Sequence, residues 1–234
     1  MQIIPVIDLL GGTVVHAKKG DRKNYHAIQS LISGSSDPLD IVAALLKYHP
    51  FKQLYIADLN AIQKTGSNNL KIIKSIALHH PGLELWVDAG INSTAEVALW
   101  SACNFNVILG SENFSDLDNF INIRKQLNSN FVLSLDFMPN GYHGPQELLQ
   151  NPEYWPEQVI LMSLPHVGAN QGPDLELIER FRQLSQQHRF YSAGGVRSAD
   201  DLNRLKQVGT DGALLATALH RRQISQAELE CLSQ

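Results

Sequence analysis

Two aspartates stand at matched places in this chain. Asp8 closes the apolar run Ile3-Ile4-Pro5-Val6-Ile7, and Asp136 closes Phe131-Val132-Leu133-Ser134-Leu135. Each is followed by a glycine turn, Asp88-Ala89-Gly90-Ile91-Asn92-Ser93 in the first half and Ala193-Gly194-Gly195-Val196-Arg197-Ser198 in the second. A further apolar run then ends in Gly110-Ser111 or in Ala216-Thr217. One aspartate at a strand end is ordinarily a solvated or capping residue. Two in register, within a repeated order of carboxylate, glycine turn and apolar run, mark a duplicated half with functional carboxylates. The turns suit anion binding, because glycine lets backbone N–H groups approach an oxyanion and the helix that follows adds its positive end. Gly194 and Gly195 with Thr217 form the stronger phosphate site, with Arg197 adding charge; Gly90, Gly110 and Ser111 form its counterpart.

The elements that must hold these residues alternate in kind. Runs rich in Ile, Val and Leu begin near Gln2, Gln53, Leu83, Asn106, Phe131, Gln158, Arg189 and Asp211. Amphipathic helical patterns follow most of them, including Leu39 to Tyr48, Asn69 to His79 and Leu175 to Gln187. This is the sequence form of repeated βαβ units around a buried parallel sheet. Eight such pairs predict a closed α/β barrel, a single (β/α)8 domain over residues 1–234 made of two similar halves. After Asp8, Gly11-Gly12 predicts a two-residue hairpin. A polar stretch follows in which Lys18, Lys19, Arg22 and Lys23 with Gly34-Ser35-Ser36 form a basic flap able to close over an anion. Met138 to Pro145 reads as a turn after Asp136.

Composition restricts the partners. Apolar residues make up 44% and charged residues 18% of the 234, with a net charge of -4, which gives no reason to expect nucleic acid as a partner. No apolar run is long enough to span a bilayer, and no signal segment opens the chain, so a cytoplasmic, non-membrane protein is expected. The two cysteines, Cys103 and Cys231, and the nine histidines lack metal-ligand spacing, so no metal is expected. Oligomeric state is not readable.

In order along the chain, Ile4-Pro5-Val6-Ile7-Asp8-Leu9, Gly12, Val14-Val15, Gly20-Asp21, Ala57-Asp58-Leu59 with Ala61, Ile108-Leu109-Gly110, Leu135-Asp136 and Gly194-Gly195 with Asp201-Leu202 resemble the histidine-biosynthesis isomerase and cyclase family, the HisA/HisF barrels. The isomerase branch is the better match, and the likeness extends to divergent relatives of archaea and methylotrophs. The resemblance implies an Amadori-type rearrangement of a phosphorylated aminoaldose to an aminoketose, with Asp8 as base, Asp136 as acid and no organic cofactor. Such a pair needs its two pKa values pushed apart.

Departures from the family pattern gather at the mouth of the barrel. Asp88-Ala89-Gly90 stands where three glycines are usual, and Asn92 stands in place of an arginine. A carboxylate about 5 Å from a phosphate charge is repelled by roughly 3 kcal/mol at an effective dielectric near 20. Met162-Ser163 replaces a Thr-Asp pair, and His16 replaces an arginine. His16, Lys19, Asp88, Ser163, His166 and Arg197 are therefore the candidate substrate contacts. A small phosphorylated molecule other than the histidine-pathway substrate follows as the expectation. Methanopterin-type C1 cofactor synthesis is an alternative context, and a non-catalytic phosphosugar-binding or scaffold barrel an alternative class.

Overall fold

A computed structural model describes residues 1–16, 25–167 and 171–233. Strands β1 (Gln2–Leu10), β2 (Thr13–Val15), β3 (Gln53–Asp58), β4 (Glu84–Asp88), β5 (Asn106–Gly110), β6 (Val132–Met138), β7 (Gly141–His143), β8 (Gln158–Ser163), β9 (Arg189–Ala193) and β10 (Gly212–Leu215) form one sheet among the described residues. Eight of them pair in parallel in the order β1-β3-β4-β5-β6-β8-β9-β10, and β10 returns to β1 through Gln2 opposite Gly212 and Pro5 opposite Leu215. The eight parallel strands thus close into a barrel. The eight predicted runs are its staves, each starting within a residue of its expected place.

Helices α1 (Pro38–Tyr48), α2 (Leu59–Ile62), α3 (Leu70–His79), α4 (Thr94–Ser101), α5 (Leu117–Gln126), α6 (Gln146–Gln150), α7 (Leu175–Leu184), α8 (Ala199–Gln207), α9 (Thr217–His220) and α10 (Gln226–Ser233) fill the connections. Their starts follow capping chemistry. Asp37 accepts from the N–H groups of Leu39 and Asp40 with Pro38 in the first turn, and Asp174 accepts from Leu177. α7 stops at Leu184, three residues short of the predicted end, where Ser185 turns extended and its hydroxyl meets His188 Nδ1 at 2.6 Å.

The staves are apolar on both faces because both are buried, and the alternation sorts their side chains into two cores. One residue from each stave, Ile4, Tyr55, Trp86, Ile108, Val132, Ile160, Tyr191 and Leu214, fills the lumen. Trp86 and Tyr191 meet edge to face at 5.0 Å. Their intervening neighbours, such as Ile3, Leu54, Ile56, Leu85 and Val87, pack outward against the helices. The lumen is therefore a filled floor, and whatever binds must do so above it.

The hairpin predicted after Asp8 is present. Gly11 (φ 58°) and Gly12 (φ 82°) make the turn that leads into β2. The stretch after Asp136, expected as a turn, holds a second hairpin: β7 pairs antiparallel with β6. The two hairpins match, since Asp8 lies opposite Val15 and Asp136 opposite His143 at the same separation in sequence. Both aspartates therefore occupy equivalent positions in the two halves, at the base of a β-ribbon that extends the stave past the barrel rim.

Candidate active site

An open cavity with about 1350 Å³ of empty space, mouth included, lies above the lumen core at the C-terminal ends of the staves. Asp8 and Asp88 line it from the first half, together with Tyr55 from the floor; Asp136, Gly194, Gly195 and Thr217 line it from the second. Sequence alone thus brought both aspartates and the second glycine turn to one place.

Asp136 is the most constrained of these groups. It is 5% exposed, and its carboxyl accepts from Ser134 Oγ at 2.7 Å and from the Glu112 N–H at 3.1 Å. Ser111 Oγ is 3.4 Å from the same oxygen, while its hydroxyl also reaches the carbonyl of His143 at 2.6 Å and accepts the Asp136 N–H. Gly110 leaves the room this requires, because a Cβ there would lie 3.1 Å from Asp136 Oδ2 and 2.9 Å from Asn113. Burial, and then the charge of Glu112, push the Asp136 pKa up to about 8 in spite of the two hydrogen bonds. The group is therefore a neutral acid at pH 7, able to donate a proton. Glu112→Gln removes the charge and should lower that pKa, so that Asp136 loses its proton at lower pH. A titration of the Asp136 carboxyl ¹³C shift reads this directly, and an unmoved midpoint refutes it.

Asp8 is half-buried on β1, in register with Ala57 of β3 and opposite Val15 of β2. Beneath the acids, the Tyr55 hydroxyl donates to Asp88 Oδ2 at 3.2 Å. Burial, and then the neighbouring charges of Asp88, Asp136 and Asp8, hold Tyr55 well above the ordinary phenol range, so it stays a donor.

The second-half turn has the predicted glycine logic. Gly194 (φ 107°) would put a Cβ 2.5 Å from the Ser163 carbonyl oxygen, and Gly195 (φ 86°) would put one 2.1 Å from the Gly172 carbonyl oxygen. Only glycine fits either position. Thr217 Oγ1 lies 3.2 Å from His16 Nε2, which ties the end of β10 to the β2 ribbon of its neighbouring stave. His166 lines the cavity with its Nδ1 2.6 Å from Ser163 Oγ.

Other candidates are placed differently from the expectation. Arg197 reaches the cavity wall, but its Nε and one NH2 group each bond Asp201 at 2.8 Å, and its N–H bonds the same carboxylate. It braces the start of α8 before it can serve an anion. Ser163 is 4% exposed and lies behind the wall as the partner of His166. Gly90, Gly110 and Ser111 also lie behind the wall, with Gly110 and Ser111 serving Asp136. Lys19, like Lys18, Arg22 and Lys23, lies outside the described residues; of the predicted flap, Ser36 accepts the Val14 N–H through its carbonyl.

The structure adds Tyr55, Glu112, Tyr25, Arg221 and Gln223 to the cavity. Glu112 follows a stave as the aspartates do, and the same argument could have found it. Tyr55 carries a polar tip in an otherwise apolar run, which signals a buried partner. Arg221 ends a four-residue helix, α9, that leaves no periodic trace in the sequence. Among the described residues, no three His, Cys, Asp or Glu side chains gather as metal ligands, and no helix is long and apolar enough to cross a membrane.

A closed parallel barrel whose mouth brings two carboxyls, one of them buried and raised in pKa, together with a pair of positive-φ glycines is the framework of a barrel enzyme suited to acid-base chemistry. Residues 2–225 match the family described as histidine biosynthesis protein; the chain belongs to that family, and within it is a HisA-like isomerase. It is 31% identical over 226 residues to an uncharacterized protein of Methanocaldococcus jannaschii, covering 94% of each chain. It is 28% identical over 243 residues to the 1-(5-phosphoribosyl)-5-((5-phosphoribosylamino)methylideneamino) imidazole-4-carboxamide isomerase of Thermococcus onnurineus, covering 98% of this chain and 97% of that one. The isomerase of the same name from Nitrosopumilus maritimus is 29% identical over 247 residues, covering 99% of both.

Proposed function

We propose that this chain converts a phosphoribosylated aminoaldose to the aminoketose, with Asp136 as acid and Asp8 as base. The observation that carries the reading is the neutral carboxyl of Asp136 in one cavity with Asp8, supplied with a glycine turn for phosphate. The proton of Asp136 passes to the ring oxygen as the bond from that oxygen to C1 breaks and the amine nitrogen forms a double bond to C1. Asp8 removes the proton from C2, giving the enol. The enol O–H proton then returns to Asp136 and the proton on Asp8 goes to C1, so both groups are restored and no atom is gained or lost. Gly194, Gly195 and Thr217 hold the ribose phosphate, and Arg221 lines the same cavity with its cation.

The substrate differs from that of the named relatives. Their printed substrate has two phosphoribosyl groups, one at each end. Here the first-half turn carries Asp88, so a substrate with a single phosphate, bound at the second turn, fits better. The test is to incubate the protein with that two-phosphate aminoaldose and with its analogue lacking the imidazole-side phosphate, and follow ketose formation. Turnover of the second in preference to the first, lost in Asp8→Asn, is expected. A well-folded protein that converts neither sinks the isomerase reading.

A further inference from the structure

Both ends of the short helix α9 are fastened to the segment that follows Asp8. At its start Thr217 Oγ1 meets His16 Nε2 at 3.2 Å; at its end the His220 carbonyl accepts the Leu31 N–H at 2.8 Å and His220 Nδ1 lies 3.0 Å from Ser30 Oγ. The segment itself widens the β1–β2 ribbon. The His16 N–H donates to the His26 carbonyl at 3.0 Å and the Ile28 N–H to that of Val14 at 2.9 Å, so that Ala27 bridges Val15 along the outer edge of β2. The chain then turns at Ser30 and meets α9. His16 and Tyr25 of the ribbon line the cavity, as do Thr217 and Arg221 of the helix and its end. Ribbon and helix thus frame one side of the site together, and the side chain that joins them behind the wall is His220.

His220 is 3% exposed. Burial, opposed by the Val6 carbonyl and reinforced by His16, brings its pKa down to about 4. The ring is therefore neutral at pH 7, with one N–H donor and one acceptor nitrogen. Ser30 Oγ accepts the Ile32 N–H at 3.3 Å, which leaves its own proton to point at Nδ1. The acid-base scheme makes no use of this group.

We infer that His220 is a positioning residue for the phosphate turn: by accepting the Ser30 hydroxyl it fastens the ribbon that carries His16 to the helix that carries Thr217, and so brings those two side chains to one ligand. This deepens the isomerase reading and rests on it for the phosphate held by Gly194, Gly195 and Thr217. A side chain that never touches the substrate then sets how tightly its phosphate is held.

The test titrates inorganic phosphate by calorimetry into the wild type, His220→Phe, His220→Asn, Ser30→Ala and the double variant Ser30→Ala with His220→Phe, and records melting scans and the kinetics of the single-phosphate aminoaldose alongside. His220→Phe fills the space without an acceptor, and Ser30→Ala removes the hydroxyl. Each should weaken phosphate at least about 5-fold, and the double variant no further than either, because both break one bond. The asparagine amide presents an acceptor near the place of Nδ1, so His220→Asn should stay within about 2-fold of the wild type. KM should rise by the same factors as phosphate weakens, with kcat held within about 2-fold. If His220→Phe folds poorly, Ser30→Ala against Ser30→Thr, which keeps the hydroxyl, makes the same comparison. Additive losses, no rescue by asparagine, or affinities that merely follow the melting temperature overturn the inference, as does a wild type that binds no phosphate. A wild type that shows the expected phosphate pattern and turns over no aminoaldose upholds the role of His220 and removes the isomerase reading.

Discussion

Asp136→Asn is expected to cut turnover by roughly two to four orders of magnitude and to raise thermal stability at pH 8. The first effect follows because an amide keeps the shape of the carboxyl and cannot give up the proton that opens the ring. Asp8→Asn should lose turnover similarly, since the abstraction from C2 has no other base. The second effect follows from linkage. The folded-state pKa of Asp136 is about 8, against an unfolded value near 4. Between those values the folded protein holds a proton that the unfolded chain releases, so stability falls by about 1.4 kcal/mol per pH unit as pH rises, and levels off above about 8. Asparagine has no proton to keep and escapes this loss, while its amide can satisfy both Ser134 Oγ, by donating, and the Glu112 N–H, by accepting. The variant should therefore melt close to the wild type at pH 4 and at least about 5 °C higher at pH 8. Calorimetric scans at the two pH values check this. A variant that is inactive and equally destabilised at both would show that Asp136 is a structural group ionised in the fold. The wild-type kcat/KM should fall as pH rises through about 8 for the same reason.

The legibility of this chain follows from where its side chains are buried. The staves could be read because each is buried on both faces, so that apolar residues run without interruption, and a polar residue at the end of such a run stands out. Asp8 and Asp136 were visible for that reason, as was the matched second turn. β7 was not, because Gly141-Tyr142-His143 is a short ribbon held by pairing to β6 and carries no apolar period of its own. The occupation of the first turn was legible only in part. Asp88 announces itself as an acid where an anion was expected, but that its oxygen folds back onto the Gly90 N–H depends on local backbone geometry. Arg197 misled in the opposite sense: a cation beside a phosphate turn is equally the natural partner of an acid four residues on, and Asp201, 1% exposed, claims it.

Gly195→Ala is expected to destabilise the fold on the order of 3 kcal/mol and to weaken substrate binding at least about 10-fold, and a second substitution separates the two effects. At φ 86° an L-residue is strained, and the new methyl would sit 2.1 Å from the Gly172 carbonyl oxygen and 3.0 Å from the Pro173 nitrogen. The backbone of 172 and 173 must move, and with it the wall of the phosphate turn. Gly90→Ala carries a similar structural cost, with φ 60° and a methyl 2.8 Å from Ile62 Cα. Its N–H, however, already belongs to Asp88, so it has no phosphate to lose. Both variants should melt several degrees lower, while KM for a ribose phosphate substrate, and binding of inorganic phosphate, should change in Gly195→Ala alone. Equal weakening in both would mean that phosphate affinity merely tracks stability. A loss confined to Gly90→Ala would place the phosphate on the first turn instead.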